Sequence, residues 1–282
     1  MNMGRVTKQS GARTVRKLWM AMPLAFFAVG CGGEMPEDTG APVADEALAE
    51  TEQAVGLAGS YWWGTTNNGN TTTNLGTATD RTCFLTGVQG NLKPTVAGNS
   101  SFVGLYIYNG DWWVTVTHFN SKALSAGVQC ISTDTNRTAE VTWTEGTAAK
   151  LLGAVTGQRR CFLTRVESRG GFVTNADHVR VWNDGLNWYL GGDLSAAGGA
   201  RARCVDVPTE HSGWHYIAGD PGGFTANMAY DPGGVACLLS GIGGHFTANS
   251  FTDGVSIDYN SGTRYWEMTV VNGKRGWSSC VK

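Results

Sequence analysis

One six-residue pattern occurs three times in this chain of 282 residues, and it constrains the fold more than any other feature. Cys83-Phe-Leu-Thr-Gly-Val88 returns as Cys161-Phe-Leu-Thr-Arg-Val166 and as Cys237-Leu-Leu-Ser-Gly-Ile242. The first cysteines are 78 and 76 residues apart. Behind each comes an apolar residue after a glycine-containing turn (Leu92, Phe172, Phe246), then an alternating strand and an Asn-containing turn. A tryptophan follows each turn (Trp113, Trp188, Trp266), and a second cysteine closes each unit (Cys130, Cys204, Cys280). Six cysteines allow 15 pairings. The repeat selects Cys83–Cys130, Cys161–Cys204 and Cys237–Cys280, with separations of 47, 43 and 43 residues.

Period-two alternation, β-branched residues and Asn-Gly-type turns read as strands. No helical i, i+3, i+4 pattern runs through the body. The expected fold is all-β: three tandem disulfide-closed antiparallel β repeats, four or five strands in each, packed with pseudo-threefold symmetry. Their bounds are read as 58–133, 134–208 and 209–282. The connectors are short and lack linker composition, which favours packed units over free beads.

Charge divides the chain further. Five of its 21 basic residues precede residue 31, and seven of its 23 acidic residues lie in 31–57, which leaves 16 of each in 58–282. A neutral body lacks the dense cationic surface that displaces counterions from nucleic acid, so nucleic acid is not an expected partner. Residues 1–30 read as a secretory signal, with a basic start and an apolar run of about 12 residues, too short for a membrane span. Residues 31–57 read as an acidic disordered tether.

Ala28-Val29-Gly30-Cys31 resembles the lipobox of bacterial lipoproteins. The resemblance implies a diacylglyceryl group on Cys31, and hence an exported protein held to a membrane of the cell envelope or surface. Cysteine arithmetic points the same way, since seven cysteines leave one outside the three pairs.

Adjacent strand residues face opposite sides of a sheet. If Trp113, Trp188 and Trp266 pack on their disulfides, the second face carries Tyr106, Tyr108, Trp112, Arg180, Trp182, Asn187, Tyr189 and Tyr265. Rings that stack and planar polar groups that hydrogen-bond suit a polysaccharide or glycan. The same face could instead pack against a neighbouring unit. The leading expectation is a non-enzymatic, lectin- or adhesin-like module. The alternative is a structural envelope or matrix protein that self-associates. A glycoside hydrolase, with a carboxylate pair such as Asp258 and Glu267, stands behind both. The chain lacks His-Glu-x-x-His, Gly-x-Ser-x-Gly and the phosphate-loop motif, so no catalytic residue is assigned. No cofactor or metal is expected: His118, His178, His211, His215 and His245 share no repeat position, and zinc at His211 and His215 is disfavoured. Asp220-Pro-Gly-Gly and Asp231-Pro-Gly-Gly read as turns rather than calcium loops.

Overall fold

The computed structural model describes residues 58–95, 98–207, 210–218, 223–231 and 233–282. The signal, Cys31, the tether and the Asp220 turn lie outside the described residues. The first repeat supplies β1 (Ala58–Thr65), β2 (Gly69–Thr77), β3 (Thr82–Gly90), β4 (Ser101–Tyr108), β5 (Asp111–His118) and β6 (Leu124–Ile131). The second supplies β7 (Val141–Thr144), β8 (Lys150–Ala154), β9 (Arg159–Ser168), β10 (His178–Asn183), β11 (Asn187–Asp193) and β12 (Gly198–Asp206). The third supplies β13 (Glu210–Ala218), β14 (Phe224–Tyr230), β15 (Ala236–Gly243), β16 (Gly254–Asn260), β17 (Tyr265–Val270) and β18 (Arg275–Val281). Each repeat thus gives six strands, where alternation suggested four or five.

The three sheets do not coincide with the three repeats. The first sheet runs β1-β6-β3-β16-β17-β14, the second β13-β18-β15-β10-β11-β8, and the third β2-β5-β4-β9-β12-β7. In each, the first, sixth and third strands of one repeat meet the fourth, fifth and second strands of another. Repeat 1 pairs into repeat 3 through β3–β16, repeat 3 into repeat 2 through β15–β10, and repeat 2 into repeat 1 through β9–β4. The exchange is cyclic, so each sheet is made jointly by two repeats.

The disulfides join neighbouring strands within each sheet, Cys83–Cys130, Cys161–Cys204 and Cys237–Cys280. Past each bridge the ladder slips by one residue, at Thr86, Thr164 and Ser240, all fully buried. Such bulges raise local twist, which lets a long strand turn toward its neighbours. Phe84, Phe162 and Leu238, the second residues of the three motifs, lie in one buried cluster. The Phe84 and Phe162 rings are 5.6 Å apart. The loop residues Leu92, Phe172 and Phe246 also converge: Leu92 N donates to Phe246 O at 2.8 Å, and Phe246 N to Phe172 O at 2.8 Å. Two trios of equivalent apolar residues therefore tie the repeats together, while Val103, Leu105, Val181, Leu190, Ile257 and Met268 fill the main core.

Candidate functional site

The antiparallel register decides which tryptophans face inward. Directly opposed residues share a face. Leu105 pairs with Val114 and Ile107 with Trp112, so Trp112 points inward and Trp113, opposite Tyr106, points outward. Trp112 is fully buried and its Nε1 donates to Arg81 O at 2.9 Å. The repeated core set is therefore Trp112, Trp188 and Trp266. The expectation that Trp113 packs inward and Trp112 outward is corrected: the two-residue turn at Asn109-Gly110 sets Tyr108 opposite Asp111, which leaves Trp112 on the core side.

The remaining expected face residues fall on three different sheets. Tyr106 and Tyr108 are on the third, Tyr265 is on the first, and Arg180, Trp182, Asn187 and Tyr189 are on the second. Only the last group is assembled. Trp182 and Tyr189 stack with centroids 5.8 Å apart, and the Arg180 guanidinium lies 5.1 Å from the Trp182 ring centre. Tyr189 Oη donates to Asp184 Oδ2 at 3.0 Å. Backbone N–H groups of Asn187 and Leu186 hold the Asp184 carboxyl below its ordinary value, and its bond with Tyr189 raises the phenol. Trp277 continues this strip, with Arg275 over its ring at 5.7 Å. The strip is a ladder of rings and cations on the outside of a sheet.

A concave site lies instead on the outer face of the first sheet. Its seat is a glycine pair, Gly87 opposite Gly127, on β3 and β6. Trp62 of β1 extends across both: a Cβ on Gly87 would meet Trp62 Cη2 at 2.5 Å, and one on Gly127 would meet Cζ2 at 3.0 Å. Phe251, from the loop between β15 and β16, covers Gly64 in the same way, at 3.0 Å. Glycine is required here because the rings approach the backbone too closely for any side chain beneath them.

These two rings, with Gln89, Ser125, Thr252 and Asp258, line a pocket of about 350 Å³. Trp62 and Phe251 keep 37% and 41% of their surface exposed, so each ring still presents area to a ligand. Trp62 Nε1 donates to Asp258 Oδ1 at 3.2 Å, which fixes the indole and the carboxylate together. Ser125 Oγ is buried with no hydrogen-bond partner among the described residues. A buried hydroxyl without a partner costs free energy that a ligand atom can recover. The pocket thus combines an aromatic platform with a carboxylate, an amide and a hydroxyl.

The Asp258–Glu267 pair is opposed across β16 and β17. Only Asp258 lines the pocket, while Glu267 Oε1 accepts from Asn260 Nδ2 at 2.9 Å and Thr263 Oγ1 at 3.2 Å. Among the described residues no cluster of three His, Cys, Asp or Glu side chains is placed to hold a metal ion. His118 is buried against Asn120, and burial pushes its imidazole below the ordinary value. Asp231 makes a turn, accepting from Gly233 N at 2.6 Å and Val235 N at 3.2 Å.

The third sheet shows another use of the same surface. Arg165 bonds Glu167 at 2.8 Å, Arg169 bonds Glu167 at 2.9 Å, and Arg201 bonds Glu140 at 2.9 Å. Burial works against the charge of Glu167, but Arg165 and Arg169 outweigh it and hold the carboxyl below its ordinary 4.5. Arg165, Glu167, Arg169 and Arg201 of this cluster line a pocket of about 210 Å³.

Sequence reasoning missed Trp62, Gln89, Ser125 and Phe251 as site residues. Comparison with known protein families, curated proteins and solved structures finds no match. The geometry alone carries the functional reading.

Proposed function

We propose that this chain is an exported, lipid-anchored surface protein that binds a glycan in the Trp62 pocket of its first sheet. The observation that carries the reading is the indole laid over Gly87 and Gly127, with Asp258, Gln89 and Ser125 beside it. The C–H face of a sugar ring stacks on an aromatic ring, and its hydroxyls donate to carboxylate and amide oxygens. Export is supported by the basic start, the apolar run and the Ala28–Cys31 segment. The three disulfides suit an oxidising compartment.

A glycan array followed by calorimetry tests the pocket. Trp62→Ala should weaken any glycan hit by at least about 100-fold, in the range of a hot-spot residue. Asp258→Asn should weaken it about 10-fold, as loss of one charge-assisted bond. A hit that both variants leave unchanged would place the site elsewhere. Incorporation of labelled fatty acid into the wild type, and its loss in Cys31→Ser, tests the anchor. The second reading is self-association through the Trp182–Tyr189 strip, whose rings lie on an outer face. Sedimentation of wild type and Trp182→Ala across a concentration series separates the two: assembly lost with Trp182 favours the structural role.

A further inference from the structure

The corners where one repeat passes from its first strand to its second can be compared position by position. Trp63 pairs with Ala126 on β6, and Trp143 pairs with Ala200 on β12, so the two tryptophans are equivalent. Leu75 and Leu152 occupy the equivalent bulge on β2 and β8.

In repeat 2 this corner is closed. Trp143 and Leu152 are buried, at 1% and 7% exposure. The loop after β7 folds back, so that Trp143 Nε1 donates to Thr147 O at 3.1 Å. In repeat 1 the loop is shorter, running only from Thr66 to Asn68 between β1 and β2. Trp63 and Leu75 stay half-buried, and Trp63 Nε1 is buried with no hydrogen-bond partner among the described residues. A cavity of about 610 Å³ opens there, walled by Tyr61, Trp62, Trp63, Leu75, Val114 and Val128, with Arg81 and Asn74 as polar lining.

Arg81 gives one guanidinium N–H, on Nη1, to Leu75 O at 2.8 Å. Among the described residues no carboxylate bridges it. An apolar cavity of this size with one cation and one orphan indole N–H has the makeup of a small-molecule site, which is typically about 300–1,000 Å³ with a few convergent polar groups. We propose that this corner binds a small organic carboxylate with an apolar body. Its body lies against Trp63, Leu75, Val114 and Val128, and its carboxylate pairs with Arg81 and accepts from the Trp63 indole. Arginine suits the role because its planar fork matches a carboxylate. Trp62 borders both this cavity and the first-sheet pocket, but the carboxylate site is built on Arg81 and Trp63 and stands without the glycan reading.

Calorimetry of the full-length chain with dodecanoate, dodecanol and acetate tests the proposal, with each ligand kept below the concentration at which it aggregates. Dodecanoate should bind saturably at one site, dodecanol at least tenfold more weakly, and acetate not measurably. Leu75→Trp, at a half-buried position of the wall, narrows the cavity and should weaken dodecanoate binding at least tenfold while the chain keeps a cooperative melting transition. Arg81→Met should bind dodecanoate and dodecanol equally. Trp182→Ala, on the second sheet, should leave dodecanoate binding unchanged. Absence of saturable dodecanoate binding would overturn the proposal. So would a folded Leu75→Trp that binds as wild type does, or an Arg81→Met that keeps the preference for the acid.

Discussion

At the centre of the first sheet the outward pair is Gly87 and Gly127; at the same ladder position of the third it is Arg165 and Arg201. The backbones match, down to the bulge beside each pair. The glycines leave a bare strip on which Trp62 lies, and a pocket forms around it. The arginines fill the strip themselves and are neutralised by Glu140 and Glu167. The second sheet is intermediate: Gly241 is bare, but Trp277 opposite it covers the gap at 2.9 Å. One scaffold position therefore forms an open seat, a charge lattice or a plug, and side-chain volume decides which.

If the repeats are equivalent as backbones, replacing each cysteine pair by serine should cost nearly the same. Loops of 47, 43 and 43 residues imply about 4 kcal/mol apiece in the chain-entropy model. Urea unfolding of the three double variants would show it, and one loss far smaller than the others would end the equivalence.

The lattice of the third sheet should be the next most costly to disturb. Glu167→Gln leaves Arg165 and Arg169 without their acid, for a loss of about 2–3 kcal/mol, below that of a fully buried pair. The sign of its pH dependence follows from the depressed carboxyl. Its contribution is complete above the ordinary 4.5 and drains away as pH falls through the lower folded value. Wild type should therefore lose stability below pH 4.5 more steeply than Glu167→Gln, as read from urea midpoints between pH 7 and pH 3. Parallel curves would mean the pair contributes nothing.

Converting the bare strip into a filled one is a milder change. Gly127→Leu should displace Trp62, costing about 1–3 kcal/mol through overpacking, and should abolish glycan binding. Retained binding would show that the glycine seat is incidental. The smallest effect belongs to the second sheet. Trp182→Ala should change stability by about 1 kcal/mol or less, since it removes one half-buried cross-strand pair on an outer face. It should leave any binding at the first sheet unchanged.

Strand class, the repeat and the disulfide pairs could all be read in the sequence, because each rests on local alternation or on cysteine spacing. The exchange of strands could not. β3 could have paired with β4 of its own repeat or with its counterpart in another, since every copy presents the same pattern. The second strands β2, β8 and β14 were undercounted because Gly69–Thr77, Lys150–Ala154 and Phe224–Tyr230 share no motif. The inward placement of Trp112 was present in the Asn109-Gly110 turn, but aligning tryptophan with tryptophan hid it. The pocket was beyond local reading: residues 62, 87, 127, 251 and 258 meet only after β16 docks on β3. The one available hint was Gly87, at the motif position where the second repeat has Arg165.

The cyclic strand pairing has a further consequence. A single repeat carries half of one sheet and the complementary half of another, and it satisfies neither alone. Three separate copies of one such segment offer each other the same edges in the same order that the continuous chain uses. The pairing pattern of a single repeat is therefore compatible with closure as a ring of three. In the continuous chain, covalent linkage removes the dilution term that such a ring would face. It also frees each copy to diverge, so that one corner can stay open while its twin is sealed.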